Sequence, residues 1–226
     1  MLQHVWQRAI ESSAKSVVIA TDDERIVTAA RSFGAEVLLT RSDHHCGSDR
    51  IAECVNQLGW PDDRLVVNLQ ADEPLMPASC LDQVAALLGA RPDCEVASLY
   101  WPVSDAAEVQ NPNAVKVVTA IDGCALYFSR SPIPYERAGA DIDAAITAGK
   151  RWKRHLWLYA YRVSALRRYA ALPPTPLELA ERLEQLRIME HGGRIAMARA
   201  GEFIPAGIDS KEDLERVGML MQSNLS

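Results

Sequence analysis

An apolar run in this sequence ends in residues that can bind a metal ion. Residues 65–69 read Leu-Val-Val-Asn-Leu, which is typical of a buried strand, and Gln70, Asp72 and Glu73 follow at once. A second acid, Asp209, leaves another apolar stretch just before a predicted helix. Two carboxylates that are distant in sequence can meet across a cleft and hold Mg²⁺, which usually takes only one or two protein carboxylates besides phosphate oxygens and water. Asp72 and Asp209 are therefore candidate magnesium ligands.

Each acid also has a purely structural explanation. An Asp-Glu-Pro sequence after a strand is a common way for a chain to leave a sheet. Ser210, next to Asp209, can cap the helix that follows, with Asp213 at its third position. The residues alone leave both interpretations open.

A polar loop and three further side chains have the chemistry of a binding site. Residues 40–50 lead into a predicted helix, whose N-terminus can bind an anion; the alternative is a solvated loop in which Ser48 only caps the helix. Arg130 follows one predicted strand, and His155 begins another strand that carries Tyr159. Arg, His and Tyr beside a cleft suit an acidic sugar through bidentate and hydroxyl hydrogen bonds, although each alone is also typical of a sheet edge.

Two other pairs of residues are ambiguous. Glu184 and Gln185 lie off the apolar face of a predicted late helix, and a solvated, salt-bridged face is the alternative to a site. His44 and His45 resemble a metal motif, but adjacent side chains on an extended loop point apart, and no Cys or carboxylate stands at ligand spacing. We interpret these two histidines as surface residues.

Composition narrows the class of protein. The chain has 226 residues, 48% hydrophobic and 24% charged, as expected of a single globular domain. A net charge of −6 with scattered Lys and Arg excludes the basic footprint of a protein that binds nucleic acid or an anionic membrane. The five cysteines form no CxxC pair, which indicates reduced thiols and disfavours zinc. Without a membrane-length apolar stretch or a signal peptide, we expect a cytoplasmic protein.

The first hundred residues predict alternating helices and strands. Their strands are almost continuously apolar, which indicates a parallel sheet covered on both faces, the doubly wound α/β class. Ligands bind such sheets beyond the carboxyl ends of the strands, where Gln70 and Asp72 would lie. The predicted helices are residues 2–13, a stretch from a capping box at 21–24 to residue 32, 49–58 and 78–88, and the predicted strands are residues 17–20, 36–39, 65–69 and 96–100.

The pattern changes after residue 100. Turn signals join three predicted strands, and we interpret residues 102–162 as an antiparallel insertion at a sheet edge or a dimer contact. Those three strands are residues 115–118, 125–128 and 156–161. Helices at residues 164–171 and 176–190, a strand at 195–198 and a helix from Lys211 complete a single domain over residues 1–226.

Several segments together resemble one family over essentially the whole chain. In order they read TRSDHHCGSDR, NLQADEP, NPNAVKVV, ALYFSRSPIP, RHLWLYAYR, PLELAERLEQLR and GIDSKEDLERV. This series is similar to the 3-deoxy-manno-octulosonate cytidylyltransferases, or CMP-Kdo synthetases, which have the Rossmann-like fold of the nucleotide-diphospho-sugar transferases. The sialic acid cytidylyltransferases share that fold, but NPNAVKVV and SPIP favour the Kdo family.

The resemblance implies a cytoplasmic, magnesium-dependent and usually dimeric enzyme of lipopolysaccharide synthesis. Such an enzyme joins CTP to Kdo, an acidic eight-carbon 2-keto sugar, through the anomeric hydroxyl and releases pyrophosphate. By this likeness Asp72 and Asp209 would ligate Mg²⁺. The residues that line the sugar site would be Gln70, Arg130, His155, Tyr159, Glu184 and Gln185, and those near the nucleotide would be Cys46, Gly47 and Arg50.

The sequence also departs from the family pattern. Family members begin with an apolar strand and a loop resembling PARxxSxRLPxKPL, whose Arg and Lys grip the triphosphate; neither matches here, so the resemblance implies an N-terminally truncated chain. The neighbours of a missing central strand would keep unpaired backbone groups, each costing roughly 1–3 kcal/mol when buried. Ala71 and Cys46 replace the usual Gly and Ser. The alternatives are a non-catalytic sugar-binding or dimerising fragment, or a cytidylyltransferase for another 2-keto acid sugar such as sialic acid.

Overall fold

The computed structural model describes residues 1–44, 46–137, 141–147, 152–204, 207, 213, 215 and 217–219. In this part of the chain helices alternate with strands, as the sequence predicts. The strands are β1 (Val18–Thr21), β2 (Glu36–Leu39), β3 (Leu65–Asn68), β4 (Val96–Pro102), β5 (Lys116–Thr119), β6 (Ala125–Ser129), β7 (Lys153–Arg162) and β8 (Ile195–Arg199). The helices are α1 (Leu2–Ile10), α2 (Glu24–Ser32), α3 (Gly47–Gln57), α4 (Ala78–Gly89), α5 (Ala106–Gln110), α6 (Ile142–Thr147), α7 (Val163–Ala171), α8 (Pro176–Glu181) and α9 (Gln185–Glu190).

The long strand β7 organises the main sheet. Along one side β7 pairs antiparallel with β4, which in turn pairs parallel with β8. Along its other side lie β3, with Asn68 opposite Tyr159, and β5, with Lys116 opposite Arg154. β6 extends the sheet beyond β5. The predicted α/β class is confirmed, but the sheet is mixed and the antiparallel strands are not confined to an edge, because β7 lies inside it.

Side chains of β7 alternate between the two faces of the sheet. Tyr159 and Tyr161 belong to the apolar cluster that α3 and α7 cover, whereas Leu158 and Ala160 belong to the cluster that α4 covers. This alternation follows from strand geometry, in which successive side chains point to opposite faces. The sheet is therefore a central layer between helices, which is the arrangement of the doubly wound class.

The strands β1 and β2 form a separate, parallel, two-stranded sheet. Both β1, through Val18 and Ile19, and β3, through Val66 and Val67, line a cavity of about 760 Å³. Within the described residues β1 pairs with β2 and β3 with β7, so neither strand pairs across this cavity.

One predicted helix is broken in two, and the predicted cap of another is wrong. The predicted helix 176–190 is two helices, α8 and α9, because the chain turns at Arg182, which takes a left-handed conformation with φ of 52°. The cap of α2 is Asp23 rather than Thr21, since Asp23 Oδ1 accepts a 2.8 Å hydrogen bond from the backbone N–H of Arg25.

The insertion contains two helices that the sequence pattern does not predict. These helices, α5 and α6, have five and six residues, which is too short for a helical period to show. The predicted start of the last helix, Lys211, lies outside the described residues; of those that follow, 213, 215 and 217–219 are helical. None of the helices in the described ranges is long and apolar enough to span a bilayer.

Candidate active site

A cleft of about 1010 Å³ opens beyond the carboxyl end of β3. Because β3 and β7 are antiparallel, the chain that leaves β3 after Asn68 runs beside the earlier residues of β7. This topology brings Gln70 and Asp72 into one cleft with His155, although His155 is distant in sequence. Arg130, which directly follows β6, lines the same cleft. Four of the predicted site residues therefore share one cavity.

His155 lines this cleft, and one of its two ring nitrogens has a hydrogen-bond partner. Its Nε2 is 2.9 Å from Ser98 Oγ, which is also 2.8 Å from the carbonyl oxygen of Leu158. A hydroxyl group has one proton, so Ser98 donates to the carbonyl oxygen and accepts from the Nε2–H of His155. Burial lowers the pKa of His155 to about 3, so the ring is neutral at pH 7. Nδ1 is therefore an acceptor, and it has no hydrogen-bond partner among the described residues.

Tyr159 and Gln185 share this property with His155. The hydroxyl of Tyr159 and both amide atoms of Gln185 are buried and have no hydrogen-bond partner in the described part of the chain. Leaving a buried polar group unpaired costs about 1–3 kcal/mol, and folded proteins keep few such groups. The rings of Tyr159 and His155 lie 5.2 Å apart. His155 and Tyr159 are therefore neighbouring polar groups that a ligand could satisfy, whereas neither Tyr159 nor Gln185 is among the residues that line the cleft.

After the turn between α8 and α9, Gln185 is buried and Glu184 is half-buried. Gln185 is 1% exposed, and Glu184 Oε2 accepts a 3.4 Å hydrogen bond from the backbone N–H of Ser48 near the start of α3. Burial raises the pKa of Glu184. The alternative of a solvated helix face is wrong for this pair, because the left-handed turn at Arg182 redirects the chain.

The loop that begins α3 packs against the predicted sugar residues. A side chain at Gly47 would approach Gln70 Nε2 to 3.5 Å, and Cys46 Sγ lies 3.4 Å from the hydroxyl of Tyr169. Burial raises the pKa of Cys46 to about 12, so this residue is a protonated thiol. Gly47, Arg50 and Gln70 all line the 760 Å³ cavity beside β1. Because Gln70 also lines the cleft, it joins the predicted nucleotide and sugar regions.

The two adjacent histidines are not both surface residues. The Nε2 atom of His44 contacts the Glu53 carboxylate, and the His44 side chain is 8% exposed. His45 lies outside the described residues. His44 therefore fixes the loop to α3, and its interpretation as a surface residue is wrong.

Backbone carbonyl oxygens hold Arg130 at the edge of the cleft. Its Nε donates to the carbonyl oxygen of Glu181 at 2.7 Å, and Nη1 donates to that of Pro112 at 3.0 Å. The Arg130 backbone N–H donates to Glu181 Oε2 at 2.9 Å. These bonds give a hydrogen-bond partner to the carbonyl oxygen of Glu181 at the end of α8, and they fix a positive charge beside the cleft.

Three charged residues outside the predicted set lie in this region. Lys116 is fully buried, and its Nζ donates to the carbonyl oxygen of Asn111 at 2.8 Å. Arg154 Nη1 pairs with Glu108 Oε1 at 3.2 Å, and both residues line the cleft. A lysine within the apolar run NAVKVV is the signal that would have identified the region, because Lys is almost never fully buried without a partner.

The structure describes one of the two predicted magnesium ligands, Asp72. Asp72 lines the cleft, as does Asp213, and carboxylate oxygens of this kind suit Mg²⁺. Asp209 lies outside the described residues. Gly207 packs against the turn after β3, since a side chain at Gly207 would come within 2.8 Å of Glu73 Oε1 and 3.1 Å of the Asp72 carbonyl oxygen. The shared site of Asp72 and Asp209 stays a prediction.

Comparison with known proteins assigns this geometry to a family. A family model described as cytidylyltransferase matches residues 1–195. This chain belongs to the cytidylyltransferase family. Two relatives in that family are named 3-deoxy-manno-octulosonate cytidylyltransferase. The relative from Pseudomonas syringae pv. syringae is 50% identical over 223 residues, which cover 98% of this chain and 88% of that protein. The relative from Pseudomonas fluorescens is 49% identical over 224 residues, covering 99% and 88%.

Solved structures agree with the cytidylyltransferase assignment. The structure of CMP:2-keto-3-deoxy-manno-octonic acid synthetase complexed with CTP aligns with a TM-score of 0.89 at 36% identity, over 99% of this chain and 88% of that chain. The structure of 4-diphosphocytidyl-2C-methyl-D-erythritol synthase aligns with a TM-score of 0.58 at 14% identity, over 97% and 87%. This second likeness concerns the fold alone. The predicted family and fold class are confirmed.

Proposed function

We propose that this protein transfers the CMP group of CTP to 3-deoxy-D-manno-octulosonate (Kdo), forming CMP-Kdo and pyrophosphate. The observation that carries the proposal is the set of buried polar atoms without partners among the described residues: His155 Nδ1, the Tyr159 hydroxyl and the Gln185 amide. Relatives up to 50% identical are named for this activity, and a structural relative contains CTP. The chemistry of the cleft and the family relationship support the same reaction.

A sugar rich in hydroxyl groups suits these atoms. The unprotonated Nδ1 of His155 accepts from a hydroxyl, the Tyr159 hydroxyl both donates and accepts, and the Gln185 amide donates through Nε2 and accepts through Oε1. Bound sugar would thus satisfy four buried atoms that have no other partner in the described residues. A ligand that lacks one of the hydroxyl groups leaves a buried group unpaired, which gives selectivity.

Fixed positive charge would bind the carboxylate of the sugar. Arg130 and Arg154 both line the cleft. Arg154 Nη2 donates to the carbonyl oxygen of Ile204 at 2.6 Å, while its Nε is buried and has no hydrogen-bond partner in the described ranges. That N–H is available to a carboxylate oxygen. Because the guanidinium groups are already held in place, binding costs little additional side-chain entropy.

The triphosphate of CTP would lie between the start of α3 and the turn that carries Asp72. Backbone N–H groups at a helix N-terminus favour an anion, which suits Cys46, Gly47 and Arg50 for the nucleotide. Mg²⁺, which we propose is held by Asp72 and Asp209, would neutralise phosphate charge when bound. The packing of Gly207 against the Asp72 turn supports this role, because Asp209 follows only two residues later in sequence.

The proposed reaction is an in-line displacement at the α-phosphorus of CTP. The anomeric hydroxyl oxygen of Kdo forms a bond to phosphorus while the bond to the pyrophosphate oxygen breaks, and the hydroxyl proton passes to water. Positioning and charge neutralisation carry most of such catalysis. His155 would orient a hydroxyl rather than remove its proton, because an imidazole with a pKa of about 3 is too weak a base at neutral pH.

We further propose that the enzyme works in the cytoplasm, supplies activated Kdo for lipopolysaccharide synthesis and forms a homodimer. These parts of the proposal rest on the resemblance of the seven sequence segments to the family. Sedimentation of the purified chain tests the dimer directly, and a monomer at micromolar concentration would exclude it.

Release of pyrophosphate in the presence of CTP, Kdo and Mg²⁺ tests the proposed reaction. We expect CMP-Kdo to form in equal amount to pyrophosphate, and we expect sialic acid to compete weakly. Pyrophosphate release that depends equally on sialic acid would favour the alternative of another 2-keto acid sugar. The absence of CMP-Kdo with all three components present would contradict the proposal.

The cavity between β1 and β3 favours a second candidate, a non-catalytic chain that binds the sugar or dimerises. Titration calorimetry separates the two candidates. Binding of Kdo without any binding of magnesium and CTP supports the non-catalytic chain, whereas tight binding of magnesium and CTP excludes it.

A further inference from the structure

Two buried cysteines face each other away from the cleft. Cys94 Sγ lies 3.5 Å from Cys124 Sγ, and the residues are 1% and 5% exposed. Cys94 lies two residues before the start of β4, at the end of the strand opposite Tyr100, which pairs with His155. Cys124 precedes β6 and bridges to Ala196 of β8. The two free thiols therefore lie beside different strands of the main sheet, at the end of β4 away from His155.

Two arginines surround this pair of thiols. Arg91 Nη2 donates to Cys124 Sγ at 3.1 Å, and Arg91 also holds Asp93 through two hydrogen bonds of 2.9 Å. Arg194 Nη1 donates to Asp93 Oδ2 at 2.7 Å. Negative charge that develops on Cys124 Sγ thus lies against a guanidinium group, which favours reaction at that sulfur. Burial raises the pKa of Cys94 to about 12, so Cys94 keeps its proton until the second step.

The same cluster is poorly suited to a metal ion. Donor atoms of Asp93, Cys94 and Cys124 lie within 4.8 Å of one another, which is a ligand-like grouping within the described residues. Arg91 and Arg194 already neutralise the Asp93 carboxylate, however. A cation would have to displace both guanidinium groups to use it. Thiol chemistry is therefore the better assignment.

We propose that Cys94 and Cys124 form a peroxide-reactive dithiol that closes to a disulfide. The Cys124 thiolate attacks one oxygen of hydrogen peroxide, the O–O bond breaks, and a sulfenic acid forms on Cys124; the hydroxide that leaves takes up the thiol proton as water. The Cys94 sulfur then attacks the Cys124 sulfur, and the sulfenic hydroxyl leaves with the Cys94 proton as a second water. Two thiols are oxidised and one peroxide is reduced.

Geometry and access both favour this step. The sulfur atoms, now 3.5 Å apart, need to approach by only about 1.5 Å to reach the usual S–S bond of about 2.05 Å. Asp93 and Arg194 are 41% and 45% exposed, so the ion pairs that cover the thiols are at the surface and can open to a small, neutral oxidant. Cys54 and Cys80 are also buried free thiols, but among the described cysteines the sulfur-to-sulfur contact is between Cys94 and Cys124.

Mass spectrometry of the full chain treated with hydrogen peroxide tests the proposal. We expect the protein to lose two hydrogen atoms, to regain them with a reductant, and to yield a cross-linked pair of peptides that contains Cys94 and Cys124. Cys54→Ala and Cys80→Ala are matched controls, since each removes a buried cysteine and should leave the oxidation unchanged. A cross-link that involves either control cysteine, or a mass that does not change, would overturn the proposal.

A second measurement tests the order of the two steps. It compares sulfenic acid labelling in two variants, so it does not rest on one variant alone. In Cys94→Ala the sulfenic acid on Cys124 cannot be resolved, so a sulfenic acid trap such as dimedone should label Cys124. In Cys124→Ala the same trap should leave Cys94 unlabelled. Equal labelling of both variants would contradict the assigned order. Stoichiometric zinc binding that is lost in Asp93→Asn would replace the dithiol by a metal site.

Discussion

His155 and Ser98 form a buried pair in which His155 Nε2 lies 2.9 Å from Ser98 Oγ. The serine hydroxyl is held in turn by the carbonyl oxygen of Leu158, 2.8 Å away. Because this arrangement uses the only hydroxyl proton, it sets the tautomer of His155 and leaves the lone pair on Nδ1. A neutral and oriented imidazole of this kind accepts a hydrogen bond from a ligand.

The free energy of unfolding should fall as the pH is lowered below 6.5, because of His155. Its pKa is about 3 in the folded protein, against about 6.5 in an unfolded chain. Between these two pH values the unfolded state binds more protons than the folded state. The stabilisation from neutral His155 is therefore complete above pH 6.5 and is lost as the pH falls toward 3. The loss from this residue is at most about 1.4 kcal/mol per pH unit. Urea denaturation at pH 5 and pH 7 measures it.

A variant comparison isolates the contribution of His155. His155→Gln should flatten the dependence of stability on pH in this range. His4→Gln, which changes an exposed histidine, should keep the dependence of the unmodified protein. If His155→Gln and the unmodified protein lose the same stability between pH 7 and pH 5, His155 does not titrate as stated.

Tyr159→Phe should weaken Kdo binding without destabilising the protein. The Tyr159 hydroxyl is buried and has no hydrogen-bond partner in the described part of the chain, so its removal also removes a desolvation cost of about 1–3 kcal/mol. A lost hydrogen bond to the sugar should raise the KM for Kdo roughly tenfold, which equals about 1.4 kcal/mol. Steady-state kinetics and thermal denaturation together measure the two effects.

Tyr161→Phe is the matched control, because the Tyr161 hydroxyl lies 3.1 Å from Ser48 Oγ. This variant should lose about 1 kcal/mol of stability, since it breaks a bond within the protein, and should change the KM for Kdo less. The reverse pattern, with Tyr159→Phe less stable and normal in KM, would show that the Tyr159 hydroxyl has a structural partner.

Most strands and helices could be predicted from the sequence because each buries a face with a clear period. The position of Gln70 and His155 in one cleft could not be predicted, because it depends on the antiparallel register that sets Asn68 opposite Tyr159. Apolar runs show that strands are buried, but they do not show which strands pair. The resemblance to a family identified these site residues, whereas the residue pattern alone gave each an ordinary explanation.

The turn between α8 and α9 shows a second limit of sequence reasoning. Residues 176–190 have a continuous helical pattern, and Arg182 is a strong helix former. Arg182 nevertheless takes a left-handed conformation, which is uncommon for a residue other than glycine. Tertiary packing outweighs local preference here, because Leu183, Gln185 and Leu186 are all buried after the turn.

Asp72→Asn should raise the Mg²⁺ concentration needed for pyrophosphate release. An amide keeps the size of the carboxylate but removes the charge that attracts a hard cation. We expect at least a tenfold increase in the half-saturating Mg²⁺ concentration, about 1.4 kcal/mol in binding. Titration of the assay with MgCl₂ measures this value.

Asp43→Asn serves as the control for Asp72→Asn, because Asp43 is an exposed acid paired with Arg41. Its magnesium dependence should match that of the unmodified protein. A normal magnesium requirement in Asp72→Asn would remove Asp72 from the proposed site, while a shift of equal size in both variants would indicate a general effect of charge.

The amide protons of β1 should exchange with solvent faster than those of β4. A two-stranded sheet is marginal on its own, and β1 borders the 760 Å³ cavity rather than a further strand. β4 lies between β7 and β8, and residues 96–99 are buried. We expect at least a tenfold difference in protection, which equals about 1.4 kcal/mol in opening free energy. Hydrogen exchange followed by mass spectrometry compares peptides that cover residues 18–21 and 96–99.

The strand β8 is the control for position at a sheet edge, because it is the last strand of the main sheet beside β4. β8 pairs with β4 in the main sheet, and Ile195 and Ala196 are fully buried. It should therefore be protected more than β1. Equal protection of β1 and β4 would mean that β1 is stabilised as part of the main sheet, because only an additional partner across the cavity would slow its exchange to that extent.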